Sequence, residues 1–282
     1  MKNETYFSLA SIFVLSALIT SCASTPSGTP SPQFSELHYG TMIPLYPERA
    51  FYSMERGQLP DNSPWLDLTM NLVGMDSPAK QAEFFHQVLY SGDSLEAYRD
   101  RVINEQTALY RRMPDALNIP EGEGQSSLDW YYMEQIIVSG AGNDGIVVER
   151  LLDTYIGGAH GFPSMKYYVL DLDSLKQVTI HDLFEDYQDE RIKAVVYDEL
   201  RNYGNLAKGQ PLSQGGFLSD EPELTENFYV TEQGLGLYWN RYEIAPYAMG
   251  SIDIVVPWRD IRPRMLNSGM ELMTKFSIYL FM

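Results

Sequence analysis

A histidine set among glycines at the end of an apolar run is the arrangement in this sequence that comes nearest to an active-site loop. It occurs in Asp153-Thr154-Tyr155-Ile156-Gly157-Gly158-Ala159-His160-Gly161. An imidazole ionises near neutral pH and can move protons, but catalysis also needs a nucleophile, a paired carboxylate or a metal set. The chain has four histidines, and His38, His86 and His181 lie in unrelated segments with no His-Glu-x-x-His spacing. No catalytic residue, metal ligand or cofactor is therefore assigned, and the balance falls towards a protein that is not an enzyme. The competing reading is a hydrolase or esterase in which His160 meets Asp153, Asp171 or Asp173 through strand pairing. Two further readings of the stretch stay open. As a structural corner, its glycines supply positive φ or close backbone approach and His160 bonds a nearby backbone group or carboxylate. As a binding feature, Tyr155, Gly157, Gly158, His160 and Tyr168 line a groove for a partner loop or a glycan. A second candidate surface is the loop holding Tyr242 and Tyr247, bounded by Pro246 and Gly250. Together with Trp239 and Arg241 these are residue types that dominate interface hot spots; packing into the core is the alternative.

The elements that position these residues are legible from pattern. Leu66, Leu68, Met70 and Leu72 alternate with polar residues, which predicts a half-buried strand. Ser77 and Pro78 are placed to cap and start a helix over residues 78–90. A second helix begins at Asp93 or Ser94, carries Leu95, Tyr98, Val102, Leu109 and Met113 inward, and ends at Pro114. Residues 128–139 and 146–156 read as a hairpin around the glycine-rich 140–145 turn. Another strand covers 165–172, a helix covers 189–206 with Ile192, Val195, Val196, Leu200 and Tyr203 inward, and strands follow at 228–231, 235–238 and 252–256. Residues 34–64 show no sustained period, and the apolar 276–282 segment is a candidate closing strand. The expected fold class is α+β, with antiparallel sheets and helices segregated to one face.

Acids outnumber bases 38 to 20, for a formal charge of −18. That excludes the clustered cations on which nucleic-acid binding depends and favours a basic partner or solubility alone. At the start of the chain, Lys2 and the short apolar run over residues 7–19 have the form of a signal peptide, too short for a membrane span. Leu18-Ile19-Thr20-Ser21-Cys22 resembles the lipobox of bacterial lipoproteins, which implies a lipid on Cys22, the single cysteine. Anchored by acyl chains, the chain is expected in the cell envelope, periplasmic or at the surface. Ala23 after the cysteine favours the outer membrane where the host has one. Pro26, Pro30 and Pro32 mark a tether. The expected organisation is a signal peptide at 1–21, a lipidated tether at 22–33, an N-terminal α+β module at 34–125 and a C-terminal α+β domain at 126–282.

Three sets of residues then resemble a known module: Tyr155 to Gly161 with Tyr168-Val169-Leu170-Asp171-Leu172; Val178-Thr179-Ile180-His181-Asp182-Leu183-Phe184; and Phe228 to Leu235, Tyr242 to Gly250 and Ile254-Val255-Val256-Pro257-Trp258. Across residues 139–265 they are similar to the C-terminal domain shared by RsiV-type anti-sigma factors and PdaC-type peptidoglycan deacetylases, and residues 65–114 resemble the companion N-terminal module. The resemblance implies an extracytoplasmic recognition module, one that in the anti-sigma factors recognises lysozyme. The deacetylases' Asp-Asp and His-x-x-x-His metal motifs are absent, and only a few residues precede the apolar leader. The expected function is a lipid-anchored binding protein for a lysozyme-like protein or peptidoglycan.

Overall fold

The computed structural model describes residues 31–45, 64–117, 128–142 and 144–277. The signal peptide, Cys22, most of the tether, Asn143 and the end of the apolar tail lie outside the described residues. Contacts divide the chain into two units, one within Pro32–Ile136 and Leu151–Pro163, the other within Ile137–Arg150 and Ser164–Met282.

In the first unit, the alternation seen at residues 66–72 becomes β2, Trp65–Ser77, with Leu66, Leu68, Met70 and Leu72 buried. It pairs antiparallel with β1, Gln33–Pro44, in a register that sets Leu37 opposite Leu72 and Tyr39 opposite Met70. β1 is a strand that pattern reading leaves unassigned. Its inward positions Leu37, Tyr39, Thr41 and Ile43 do alternate, but serine, glycine and threonine dilute the apolar signal. Helices α1, Ala79–Tyr90, and α2, Leu95–Leu117, follow β2, and β3, Trp130–Ala141, then runs parallel to it. A parallel neighbour needs a long crossover, which the two helices provide; at this place the expectation of hairpin-connected antiparallel strands does not hold.

Three local expectations are corrected. Pro78 occupies the N-cap of α1 in extended geometry with no side-chain cap, so Ser77 does not cap. Helix α2 continues past Pro114 to Leu117, since a proline so near the end removes one backbone bond and the helix closes within a turn. Its buried face takes Tyr110 in place of Leu109, which is 45% exposed. Tyr110 packs on the Trp130 ring at 5.2 Å and donates its hydroxyl to the Leu128 carbonyl at 2.9 Å, two contacts that leucine cannot match. Ser94 does cap α2, accepting from the Ala97 amide at 3.2 Å.

The second unit contains most of the hairpin end of β3 and β4, Gly145–Tyr155, then β5, Ser164–Asp171, and β6, Lys176–Val178, paired antiparallel to β5. Strands β3 and β4 each pass from one unit into the other. A short helix α3, Ile180–Leu183, is held by a capping box in which Thr179 and Asp182 exchange bonds. Helix α4, Glu190–Tyr203, starts at Asp189, whose carboxylate accepts from the Arg191 amide at 2.8 Å. Ile192, Val196 and Leu200 are buried; Tyr203, expected inward, is exposed at the helix end. A three-stranded antiparallel sheet follows: β7, Phe228–Val230, β8, Gly234–Trp239, and β9, Ile252–Pro257. Leu235, Leu237, Trp239, Ile252, Ile254 and Val256 join α4 in one core. Gly236 is required there because the Tyr229 ring of the paired strand lies across it, where any Cβ would sit. Helices α5, Trp258–Ile261, and α6, Asn267–Met273, close the unit. Phe276 ends in a short 3-10 turn with Ser277 left-handed, not in a strand. The antiparallel-dominated sheets with short helices make this an α+β protein.

Candidate functional site

Strand β4 ends at Tyr155, and the glycine-histidine stretch turns the chain back on itself in the first unit. Gly157 and Gly158 take φ of 91° and 108°, the left-handed values for which glycine is suited. The Tyr155 hydroxyl donates to the Gly158 carbonyl at 2.9 Å, and the Phe162 amide donates to the Thr154 carbonyl at 2.7 Å. Gly161 lies against the Tyr131 hydroxyl, with a Cβ there only 3.2 Å from Asp153 Oδ1. Tyr131 in turn donates to Asp153 Oδ1 at 3.1 Å and stacks on Tyr155. His160 is half-buried, its Nδ1 3.0 Å from the Gly161 carbonyl and its ring beside Phe162. The corner thus uses its polar groups on itself while showing solvent two apolar side chains, Ile156 (53% exposed) and Phe162 (57%).

The acids named for a catalytic reading are occupied otherwise. Asp153 accepts from Tyr131. Asp171 is 4% exposed and, with Asp173, holds Lys275: its Nζ donates to Asp171 at 2.8 and 3.1 Å and to Asp173 at 2.9 Å. Burial pushes the Asp171 carboxyl up, but bonds from Lys275 and Ser174 outweigh it and hold the group below the usual carboxylate range. Burial likewise opposes charge on Lys275, and the two carboxylates outweigh it, raising its pKa.

Tyr168 lies half-buried on β5 in the second unit. Tyr242 and Tyr247 are brought together, with ring centroids 5.6 Å apart, on the loop after β8. Trp239, grouped with them in the sequence, is buried instead, its indole donating to the Glu223 carbonyl at 3.1 Å. Asn240 fastens the loop: its amide side chain bonds Met165 N and O at 2.7 and 3.2 Å, and Glu243 accepts from the Asn240 amide at 2.8 Å. Tyr242 is exposed at φ 70°, an unusual value for a residue with a side chain, held by its amide's bond to the Ala245 carbonyl at 3.1 Å. The Arg241 guanidinium stacks 4.2 Å over the Tyr247 ring.

A further polar centre escapes pattern reading. Glu134, fully buried on β3, accepts from the Tyr98 hydroxyl at 2.9 and 3.0 Å and from Tyr132 at 2.8 Å. The signal was present as an acid at an inward position between Tyr132 and Ile136. A cleft of about 340 Å³ beside β6 is lined by Lys176, His181, Asp182 and Ser268; within it Lys176 pairs with Asp182, and the His181 ring lies 3.3 Å from Glu226 Oε1 outside the lining. Among the described residues no cluster of His, Cys, Asp and Glu suits a metal ion, and no helix is long and apolar enough to cross a membrane.

Residues 181–259 match the family model described as a protein of unknown function, DUF3298. The chain is 27% identical over 104 residues to the peptidoglycan-N-acetylmuramic acid deacetylase PdaC of Bacillus subtilis, covering 36% of this chain and 22% of that protein. It therefore spans about a fifth of that relative. Its fold is similar to a solved DUF3298 structure from Bacteroides fragilis, with a TM-score of 0.73 at 18% identity over 88% of this chain and 98% of the other. A Pseudomonas aeruginosa structure of the same family gives 0.54 at 14% identity, over 85% and 97%. The match to the DUF3298 family model thus takes in His181, α4 and the three strands β7 to β9.

Proposed function

We propose that this chain is a lipid-anchored binding protein of the bacterial cell envelope that recognises peptidoglycan. The observation that carries the reading is the corner at residues 156–162, a loop fixed by Tyr131, Tyr155 and Thr154 that presents Ile156 and Phe162 to solvent. Rigid loops with exposed aromatic and aliphatic anchors bind at low entropic cost. The partial likeness to a peptidoglycan deacetylase supports the choice of ligand, and the Cys22 lipobox supports the anchor. In this reading the protein sits in the periplasm or at the surface, on the outer membrane where the host has one.

A lysozyme-like protein is the second ligand, favoured by the charge of −18, which speeds encounter with a basic partner. Co-sedimentation of the full chain with purified sacculi tests the first ligand, and calorimetry with a basic lysozyme at low and moderate salt tests the second. Absence of both interactions ends the proposal. Release of sugar or acetate from peptidoglycan, lost in His160→Ala, would replace it with the hydrolase reading. Cys22→Ser is expected to move the protein from the membrane to the soluble fraction; unchanged membrane retention would remove the lipid anchor.

A further inference from the structure

Among the described residues Arg241 pairs with no carboxylate, and its Nε is buried without an acceptor. Arg99, Arg101, Arg201 and Arg259 each bond an Asp or Glu, whereas Arg241 lies on an aromatic face. The nearest acid in sequence, Glu243, is committed to Asn240 through backbone and side-chain bonds at 2.8 and 3.4 Å, and Asn240 is committed to Met165. Among the described residues Arg241 finds no hydrogen-bond acceptor, and its Nε is buried without one. A guanidinium carries five donors, and leaving a buried one unmatched costs about 1–3 kcal/mol. What holds the side chain in place is the face of Tyr247 at 4.2 Å, with the exposed Tyr242 ring beside it. The result is an oriented, half-exposed cation bordered by two aromatic rings on an ordered loop.

We infer that Arg241, Tyr242 and Tyr247 form a receptor for a carboxylate carried on a sugar ring. The guanidinium takes the carboxylate through paired N–H donors, and the tyrosine rings take the apolar face of the ring. The inference concerns a loop apart from the His160 corner and rests on the peptidoglycan reading only for its probe. N-acetylmuramic acid is N-acetylglucosamine with a lactyl ether that bears a carboxylate, and acetate supplies a carboxylate without the ring, so the three together separate the charge from the ring.

The full chain is titrated with N-acetylmuramic acid, N-acetylglucosamine and acetate, followed by arginine side-chain NMR signals and tyrosine fluorescence. N-acetylmuramic acid is expected to shift the Arg241 signal and to bind at least tenfold more tightly than N-acetylglucosamine or acetate. Arg241→Gln is expected to weaken it roughly tenfold or more and Arg241→Lys by less, since lysine keeps the charge but loses the fork. Both variants lose the contact with the Tyr247 ring together with the unmatched buried Nε–H, two opposing effects, so both are expected to melt close to the parent. Equal binding of acetate would mean an adventitious anion only and overturns the receptor, as does N-acetylmuramic acid binding that ignores both substitutions. If no titrant binds while sacculi still sediment the protein, the receptor fails and the envelope reading stands. If sacculi do not bind but N-acetylmuramic acid does so through Arg241, the receptor stands without that reading.

Discussion

Lys275 and Arg241 are both cations of an acidic chain, in the same unit, and the fold treats them oppositely. The turn at Lys275 closes on two carboxylates, one of them buried, and ties the end of α6 to the β5–β6 connection. The loop at Arg241 instead directs its own acid, Glu243, to an asparagine and leaves the cation on an aromatic face. A cation ringed by carboxylates belongs to the architecture; one held in place without any is available to a ligand. The His160 corner falls on the architectural side for its polar groups, with Ile156 and Phe162 left to solvent.

Breaking the Lys275 side of the comparison should have the largest effect. Lys275→Met leaves Asp171 buried without its cation, and urea unfolding at pH 7 is expected to show a loss of about 2–3 kcal/mol. A loss under 0.5 kcal/mol would place Lys275 with the ordinary surface charges. Next comes Gly161→Val, which drives a branched side chain into Tyr131 and Asp153; a loss of roughly 2 kcal/mol is expected in the same measurement, and a neutral result would mean the corner is loosely held.

The pH dependence sharpens the same contrast. Asp171 has a lowered folded pKa, so its contribution is fully present above the unfolded value of about 3.9 and is lost as pH falls through the folded value. Lys275 has a raised folded pKa, so its contribution is present below about 10.4 and is lost as pH rises through the folded value. In Lys275→Met the buried Asp171 is expected to titrate upward, so the stability gap to the parent should narrow as pH drops below about 4. A gap that stays constant from pH 7 to pH 3 would contradict the pairing. The smallest effect belongs to Arg241→Gln, expected to change stability by less than about 0.5 kcal/mol, with its consequence confined to binding.

Much of the fold was legible because buried strands and amphipathic helices leave periodic traces. The alternation from Leu66 to Leu72, the Ile192, Val196 and Leu200 stripe, and the Ile252 and Ile254 pair each declared their element and inward face. β1 stayed unread because small residues weakened its alternation, and Pro114 misplaced a helix end because local propensity cannot see one tolerated missing bond. The candidate residues were legible as types but not as partners. Tyr242, Tyr247 and Arg241 do meet, while Trp239 two residues before Arg241 is core.

The sequence alone determined the α+β class and the acidic charge, since both are properties of composition and period. Tertiary structure decided which acid serves which cation. That Asp171 and Asp173 close on Lys275 about a hundred residues later, at separations of 104 and 102, and that Glu243 turns from Arg241 to Asn240, three residues before it, depend on side-chain directions in the packed chain. Charge pairing is a matter of distances of 3 to 4 Å in space, and no pattern along the chain encodes it.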